Sequence, residues 1–200
     1  MKQIILAAAL SAATALPALA ERIPLSDLSS YINGIRRAQA EFTQISDDGA
    51  IATGTLYMHR PGRMRFEYAG DEQLLVIAGG GQVAIFDGRA NTAPEQYPLR
   101  RTPLNLILAR NVDLSRSGMI IAHEDDGTST RVVAQDPDDP EIGQIEMVFT
   151  DDPIELRQWI ITDANGYETT VILGDMQEGI STPSRYFNIP AEMRARGLSE

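Results

Sequence analysis

Met64, Phe66 and Tyr68 alternate with Arg63, Arg65 and Glu67. A period of two is the signature of a β-strand with one buried face. The segment before it keeps the same period. Over Ile51 to Arg60, Leu56 and Met58 share a face with Arg60, while Tyr57 and His59 take the other. Pro61-Gly62 supplies the turn between the two segments. Upstream, Glu41 to Ile45 reads as a strand and Asp47-Asp48-Gly49 as a turn. Downstream, strand patterns run over 74–78, 83–87, 119–123, 130–134, 145–150, 156–163 and 167–173. Most are separated by turn signals such as Gly79-Gly80-Gly81, Asp125-Asp126-Gly127, Asp151-Asp152-Pro153 and Asn165-Gly166. Roughly ten short strands at such spacing predict one antiparallel sheet curved toward a barrel.

Helical spacing occurs in two places. Ser26 to Gln39 reads as a helix. Leu25, Leu28, Ile32 and Ile35 form its stripe, Ser26 or Asp27 could cap its start, and Arg36 and Arg37 fall in its last turn. Thr102-Pro103 opens the second, with Leu104, Ile107 and Leu108 on its apolar face and an end near Arg110. The fold class expected is α+β, a single domain with two helices against the concave face of the sheet. The residues expected to line that concave side are Ile32, Leu56, Met58, Met64, Phe66, Tyr68, Leu104 and Leu108. Two readings of them stand level: an ordinary core under the helices, or a cavity for acyl chains, to which methionine adapts well. Arg60 is conspicuous on this stripe. A cation there needs acceptors. It either reaches water at the rim or bonds carbonyls of a covering helix or loop.

The N-terminus reads as an address. Met1-Lys2, an alanine-rich apolar run over Ile4 to Leu16, and Ala18-Leu19-Ala20 match a cleavable secretory signal. Residues 21–200 are then the exported domain. The run is too short for a membrane span, which needs about 20 apolar residues. The formal charge of −11 argues against nucleic acid and against broad adsorption to anionic lipid. Lys2 is the only lysine, so every later cation is an arginine. With no cysteine, the chain can hold neither a disulfide nor a lipid anchor through a thiol.

Signals for catalysis are weak, and the expectation is no enzyme, no metal and no cofactor. The two histidines, His59 and His123, fall on strand patterns without an evident partner. No G-x-S-x-G elbow occurs. Gly79-Gly80-Gly81 precedes a strand rather than the helix a phosphate loop requires. The acidic stretch Asp136 to Glu141 lacks the ligand spacing of a calcium hand and reads as a solvated loop.

Several of these segments, taken in order, resemble one family. Phe42-Thr43-Gln44, then Gly54 through Pro61, then Met64-Arg65-Phe66-Glu67-Tyr68 look like the opening of LolA, the periplasmic lipoprotein carriers. Leu74-Leu75-Val76, Val83 to Asp87, Thr102 through Asn111, Trp159 to Asp163, Gly166 and Phe187-Asn188-Ile189-Pro190 continue the likeness. The resemblance implies an unclosed, half-barrel antiparallel sheet of about ten to eleven strands, with a helical lid over an apolar cavity. It implies a monomeric periplasmic carrier that takes acylated lipoproteins from an inner-membrane ABC complex to an outer-membrane receptor. It also implies that Arg60, the arginine of the R-P motif, bonds the lid in the closed state. The lid would be Thr102 to Arg110. Met64 stands where an aromatic is usual in better-known members, and it keeps the position apolar. Alternatives from other classes are a lipoprotein-binding sensor and a small periplasmic hydrolase. A polar cluster around His59 or His123 inside the cavity would mark the hydrolase.

Overall fold

Twelve strands hydrogen-bond into one sheet in the computed structural model, which describes residues 22–70, 74–90 and 92–198. The signal-peptide reading of residues 1–20 lies outside the described residues. In chain order the strands are β1 (Arg37–Ser46), β2 (Ile51–His59), β3 (Met64–Tyr68), β4 (Leu75–Gly79), β5 (Gln82–Phe86) and β6 (Glu95–Pro98). They continue with β7 (Ile120–Asp125), β8 (Thr130–Gln135), β9 (Gly143–Thr150), β10 (Glu155–Asp163), β11 (Glu168–Leu173) and β12 (Gln177–Glu178). Every pairing is antiparallel. The spatial order is β6-β5-β4-β3-β2-β1-β11-β10-β9-β8-β7, with the short β12 also on β1. The two ends, β6 and β7, do not pair with each other, so the barrel is unclosed. The halves join where β1 meets β11, with Phe42 opposite Leu173.

The period-two stripe sets which face is inside. Leu56, Met58, Met64 and Phe66 are buried, while Tyr57, Arg65 and Glu67 between them are only partly so. The concave face is completed by Ala38, Ala40, Phe42, Met147, Phe149, Trp159 and Leu173, all in the same core. Helix α1 (Leu25–Gly34) lays Leu28 and Ile32 on it, and the short α2 (Asn105–Leu108) adds Leu106, Ile107 and Leu108.

The helices depart from the sequence expectation. The first stops at Gly34 rather than at Gln39, and Ile35 is already extended. Glycine lowers helix propensity, and Ala38, Ala40 and Phe42 then bury at strand spacing. Arg36 and Arg37 therefore lie beyond the helix, not in its last turn. Pro24 precedes the first turn, and neither Ser26 nor Asp27 caps it. The second helix is one turn, 105–108, shorter than the expected span to Arg110. It is led by a 3-10 turn over Leu99–Arg101, on whose Leu99 carbonyl the Thr102 hydroxyl closes at 2.8 Å.

A third helix, α3 (Ile189–Ala195), was not expected. It covers the opposite, convex face of the sheet. Ile189 and Met193 pack there on Leu75, Ile77, Ala84 and Phe86, forming a second core. Strands β4 and β5 are thus buried on both faces, with Ala78 and Val83 turned to the first core. Gly79 makes the close approach possible. A Cβ there would collide with the carbonyl of Phe187, just before α3.

Candidate functional site: a latched seam over an apolar interior

The concave face is closed along one seam, between α1 and the segment that follows α2. Three polar side chains hold it. Arg60, directly after β2, reaches across and is only 6% exposed. Its guanidinium donates to the Ile32 carbonyl on α1, to Asn33 Oδ1 at 3.3 Å, and to the Ala109 carbonyl at 2.7 Å. Asn33 pairs with the backbone of Val112 in both directions, donating at 2.8 Å and accepting at 2.9 Å. Ser29 Oγ accepts from Leu114 N at 3.0 Å. The β2–β3 turn joins in, since Gly62 N donates to Leu108 O at 2.9 Å.

Among the described residues no carboxylate touches Arg60, and its Nε has no partner. Burial, with a smaller push from Arg36, lowers its pKa to about 10. The charge therefore stays on at neutral pH but is poorly compensated. Neutral carbonyls offset only part of the desolvation of a buried cation.

Beneath the seam the interior is aromatic and apolar. Phe42 meets Phe66 and Tyr68 edge-on at 5.2 Å and 5.1 Å, and Phe66 meets Trp159 at 6.4 Å. Gly54 makes room, because a Cβ there would meet the Phe42 ring at 2.9 Å. The Tyr68 hydroxyl donates to Gln44 Oε1 at 2.7 Å. Burial pushes that hydroxyl up to about 12, against a small opposing effect of the Gln44 bond. Side chains fill this space: Met64, Trp159, Met147 and Phe149 have no exposed surface. A guest must displace them rather than enter a void.

All the residues expected on the concave side lie in this one core. Ile32, Leu56, Met58, Met64, Phe66, Leu104 and Leu108 are buried in it, and Tyr68 packs against it. Asn33 and Ser29 went unnoticed in the sequence. The Asn33-Gly34 pair is a helix-stop signal and could have drawn attention to Asn33. Nothing local marks Ser29, whose partner is 85 residues away.

The histidines do not meet inside. His59 points outward from β2, against Phe187, with Arg37 Nε donating to its Nε2 at 3.3 Å. Burial, then Arg63 and Arg37, hold its pKa below the usual histidine value. His123 Nε2 sits 3.0 Å from the Ile23 carbonyl. On the convex face, Arg65 is clamped by Glu67 at 2.6 Å and Glu192 at 3.1 Å, over the Tyr186 ring. Among the described residues no group of three His, Asp or Glu is placed to hold a metal ion.

The architecture defines a class: an open antiparallel half-barrel whose apolar concave face is covered by helices and latched by a buried arginine. Residues 33–190 match the family described as outer membrane lipoprotein carrier protein LolA, and the chain belongs to that family. An outer-membrane lipoprotein carrier protein of Chromobacterium violaceum is 26% identical over 188 residues, covering 90% of this chain and 89% of that one. Another, of Methylococcus capsulatus, is 33% identical over 73 residues, 34% of this chain and 35% of its own length. A crystal structure of a LolA superfamily protein from Nitrosomonas europaea covers 83% of this chain and 98% of its own. Its TM-score is 0.44 at 10% identity. No described helix is long and apolar enough to cross a membrane.

Proposed function

We propose that residues 21–200 form one periplasmic carrier domain, exported by the N-terminal signal, that holds the acyl chains of lipoproteins in its concave face. The Arg60 latch is the observation that carries this reading. A buried cation bridging two covering segments through neutral acceptors alone is a contact that can open. Acyl chains entering between Phe42, Phe66, Tyr68 and Trp159 push α1 and the α2 segment apart and break it. When cargo leaves, the latch re-forms.

The energetics favour such a device. Each buried CH₂ is worth about 0.8 kcal/mol. Lipid chains leave a bilayer for a protein interior only if an energised donor lifts them. They leave the protein again only if its grip is weaker than a membrane's. Re-forming the latch and recollapsing the aromatic interior weaken that grip. The donor in this reading is an inner-membrane ABC complex and the acceptor an outer-membrane receptor. The absence of cysteine suits the unanchored carrier rather than a thiol-anchored receptor. The outward position of His59 and the family's described carrier role speak for binding rather than hydrolysis.

The test is release from spheroplasts. Purified exported protein is added outside ATP-competent inner membranes. Labelled lipoprotein should appear in a soluble one-to-one complex. Arg60→Leu should load but fail to deliver to outer membranes. No soluble complex, with a known carrier working alongside, rejects the carrier reading; normal delivery by Arg60→Leu rejects the latch.

A further inference from the structure

The acidity of the chain is unevenly spread. Arg36 lies in the link from α1 to β1, Arg37 opens β1, and Arg63 lies in the β2–β3 turn. Arg100 and Arg101 close the 3-10 turn, and Arg110 follows α2. Backbone contacts gather these pieces. Arg60 N donates to Arg36 O at 3.0 Å, Gly62 N to Leu108 O at 2.9 Å, and Leu99 N to Gly81 O at 2.9 Å. All but the half-buried Arg63 are exposed. None has an ion-pair partner among the described residues. Elsewhere Arg65, Arg116, Arg131, Arg157 and Arg196 each sit on a carboxylate, while Arg22, Arg185 and Arg194 are scattered singly. The rim does include Glu178, which shares a cavity of about 520 Å³ with Arg36, Arg37 and His59. The depressed pKa of His59 reports the same excess of positive charge, after burial.

We propose that this arginine rim is a docking surface for the anionic phospholipid headgroups of a bilayer. It borders the seam that Arg60 latches, so docking sets the opening of the interior against the membrane. The donor and acceptor of the carrier reading both sit at bilayers, so the carrier meets a layer of phosphates beside each of them. A chain of formal charge −11 is repelled there unless its mouth differs. Guanidinium forks match phosphate oxygens in pairs, and six arginines spread over four separate segments suit a surface better than a single ligand. The acidic turns do not cancel it. Asp47, Asp48 and Asp163 sit at the far end of β1, whose ten residues span about 30 Å, several screening lengths at physiological salt. The acidic turns at Asp125-Asp126 and Asp151-Asp152 belong to the other half of the sheet, on β7 to β10.

The inference takes its purpose from the carrier reading, but its test uses empty protein and no cargo, so either can fail alone. Purified exported protein is sedimented with vesicles of phosphatidylcholine, with and without phosphatidylglycerol. Binding should require phosphatidylglycerol and vanish at about 0.5 M salt. Arg100→Glu with Arg101→Glu should weaken it at least about thirtyfold, at roughly fivefold per basic residue. Arg131→Glu with Arg157→Glu changes net charge equally in the other half of the sheet, on β8 and β10, and should leave most binding intact. Equal loss in both pairs, or no binding by the unmodified protein, overturns the proposal. So does a rim variant that binds vesicles normally yet no longer pairs with the inner-membrane donor, which would assign the rim to an acidic protein surface.

Discussion

Arg60, directly after β2, and Arg65, on the neighbouring β3, stand five residues apart on opposite faces of the sheet. Both are nearly buried, Arg60 at 6% and the Arg65 side chain at 11% exposure. Their partners differ in kind. Arg65 meets two carboxylates, Glu67 and Glu192, and so ties α3 to the convex face. Arg60 meets only carbonyl and amide oxygens and leaves Nε unpaired. A buried cation matched by carboxylates is costly to separate, because each partner would be left as a lone charge. One held by neutral oxygens sits near balance, because removing it leaves no opposite charge behind. The convex contact is therefore the costlier to separate and the concave one the cheaper, although the same residue type serves both.

The contrast predicts a graded set of responses. Arg65→Met should be the most damaging. It leaves Glu192, whose side chain is 19% exposed, with Arg196 alone and takes the partner from Glu67, and should lower unfolding stability by about 3 kcal/mol. Denaturant titration measures this; a loss under about 1 kcal/mol would show that the clamp is not one. Asn33→Ala removes both bonds to Val112 and should lower stability by about 2 kcal/mol. The same change should speed amide exchange at residues 105–114 ahead of the sheet. Uniform exchange across the molecule would argue against a seam that opens by itself. Arg60→Leu removes a cation that is poorly compensated, so its unfolding stability should stay within about 1 kcal/mol of the parent. Its defect should appear in cargo release alone, and a large drop in stability would place Arg60 with Arg65 after all.

Acid should separate the faces most gently. Burial raises the pKa of Glu192, but the bonds from Arg196 and Arg65 outweigh it, and the net position is below the ordinary 4.5. Its contribution is thus complete above that value and is lost as pH falls through the lower, folded-state value. Protection of α3 amides should fall as pH drops below about 4.5, while that of residues 105–114, whose contacts to α1 and Arg60 involve no carboxylate, should hold. Loosening of residues 105–114 first would contradict the assignment.

Much of the sheet was legible from the chain, for reasons that are local. Strands β2 and β3 bury one face only, so their alternation shows in the letters. Strand β6 was missed because Glu95-Gln96-Tyr97-Pro98 is an exposed edge with no stripe to read. The two residues of β12 are too few for a pattern. Helix α3 was missed although Asn188 caps it by accepting from Ala191 N, with Pro190 in its first turn. Its seven residues are too short for periodicity to stand out. The second core was also written in β4 and β5, whose nearly unbroken apolar runs are what two-sided burial requires.

Sequence alone settled that the chain makes an antiparallel sheet, that Leu56, Met58, Met64 and Phe66 point one way, and that Arg60 points with them. Those follow from the two-residue repeat of a strand, which any short window contains. Which oxygens receive Arg60 was settled only by the fold, since Ile32 and Ala109 lie 28 and 49 residues from it. The gathering beside the seam of arginines with no ion-pair partner among the described residues is of the same kind. Net charge sums over the whole chain, whereas the potential at a surface depends on which loops the topology brings together within a screening length.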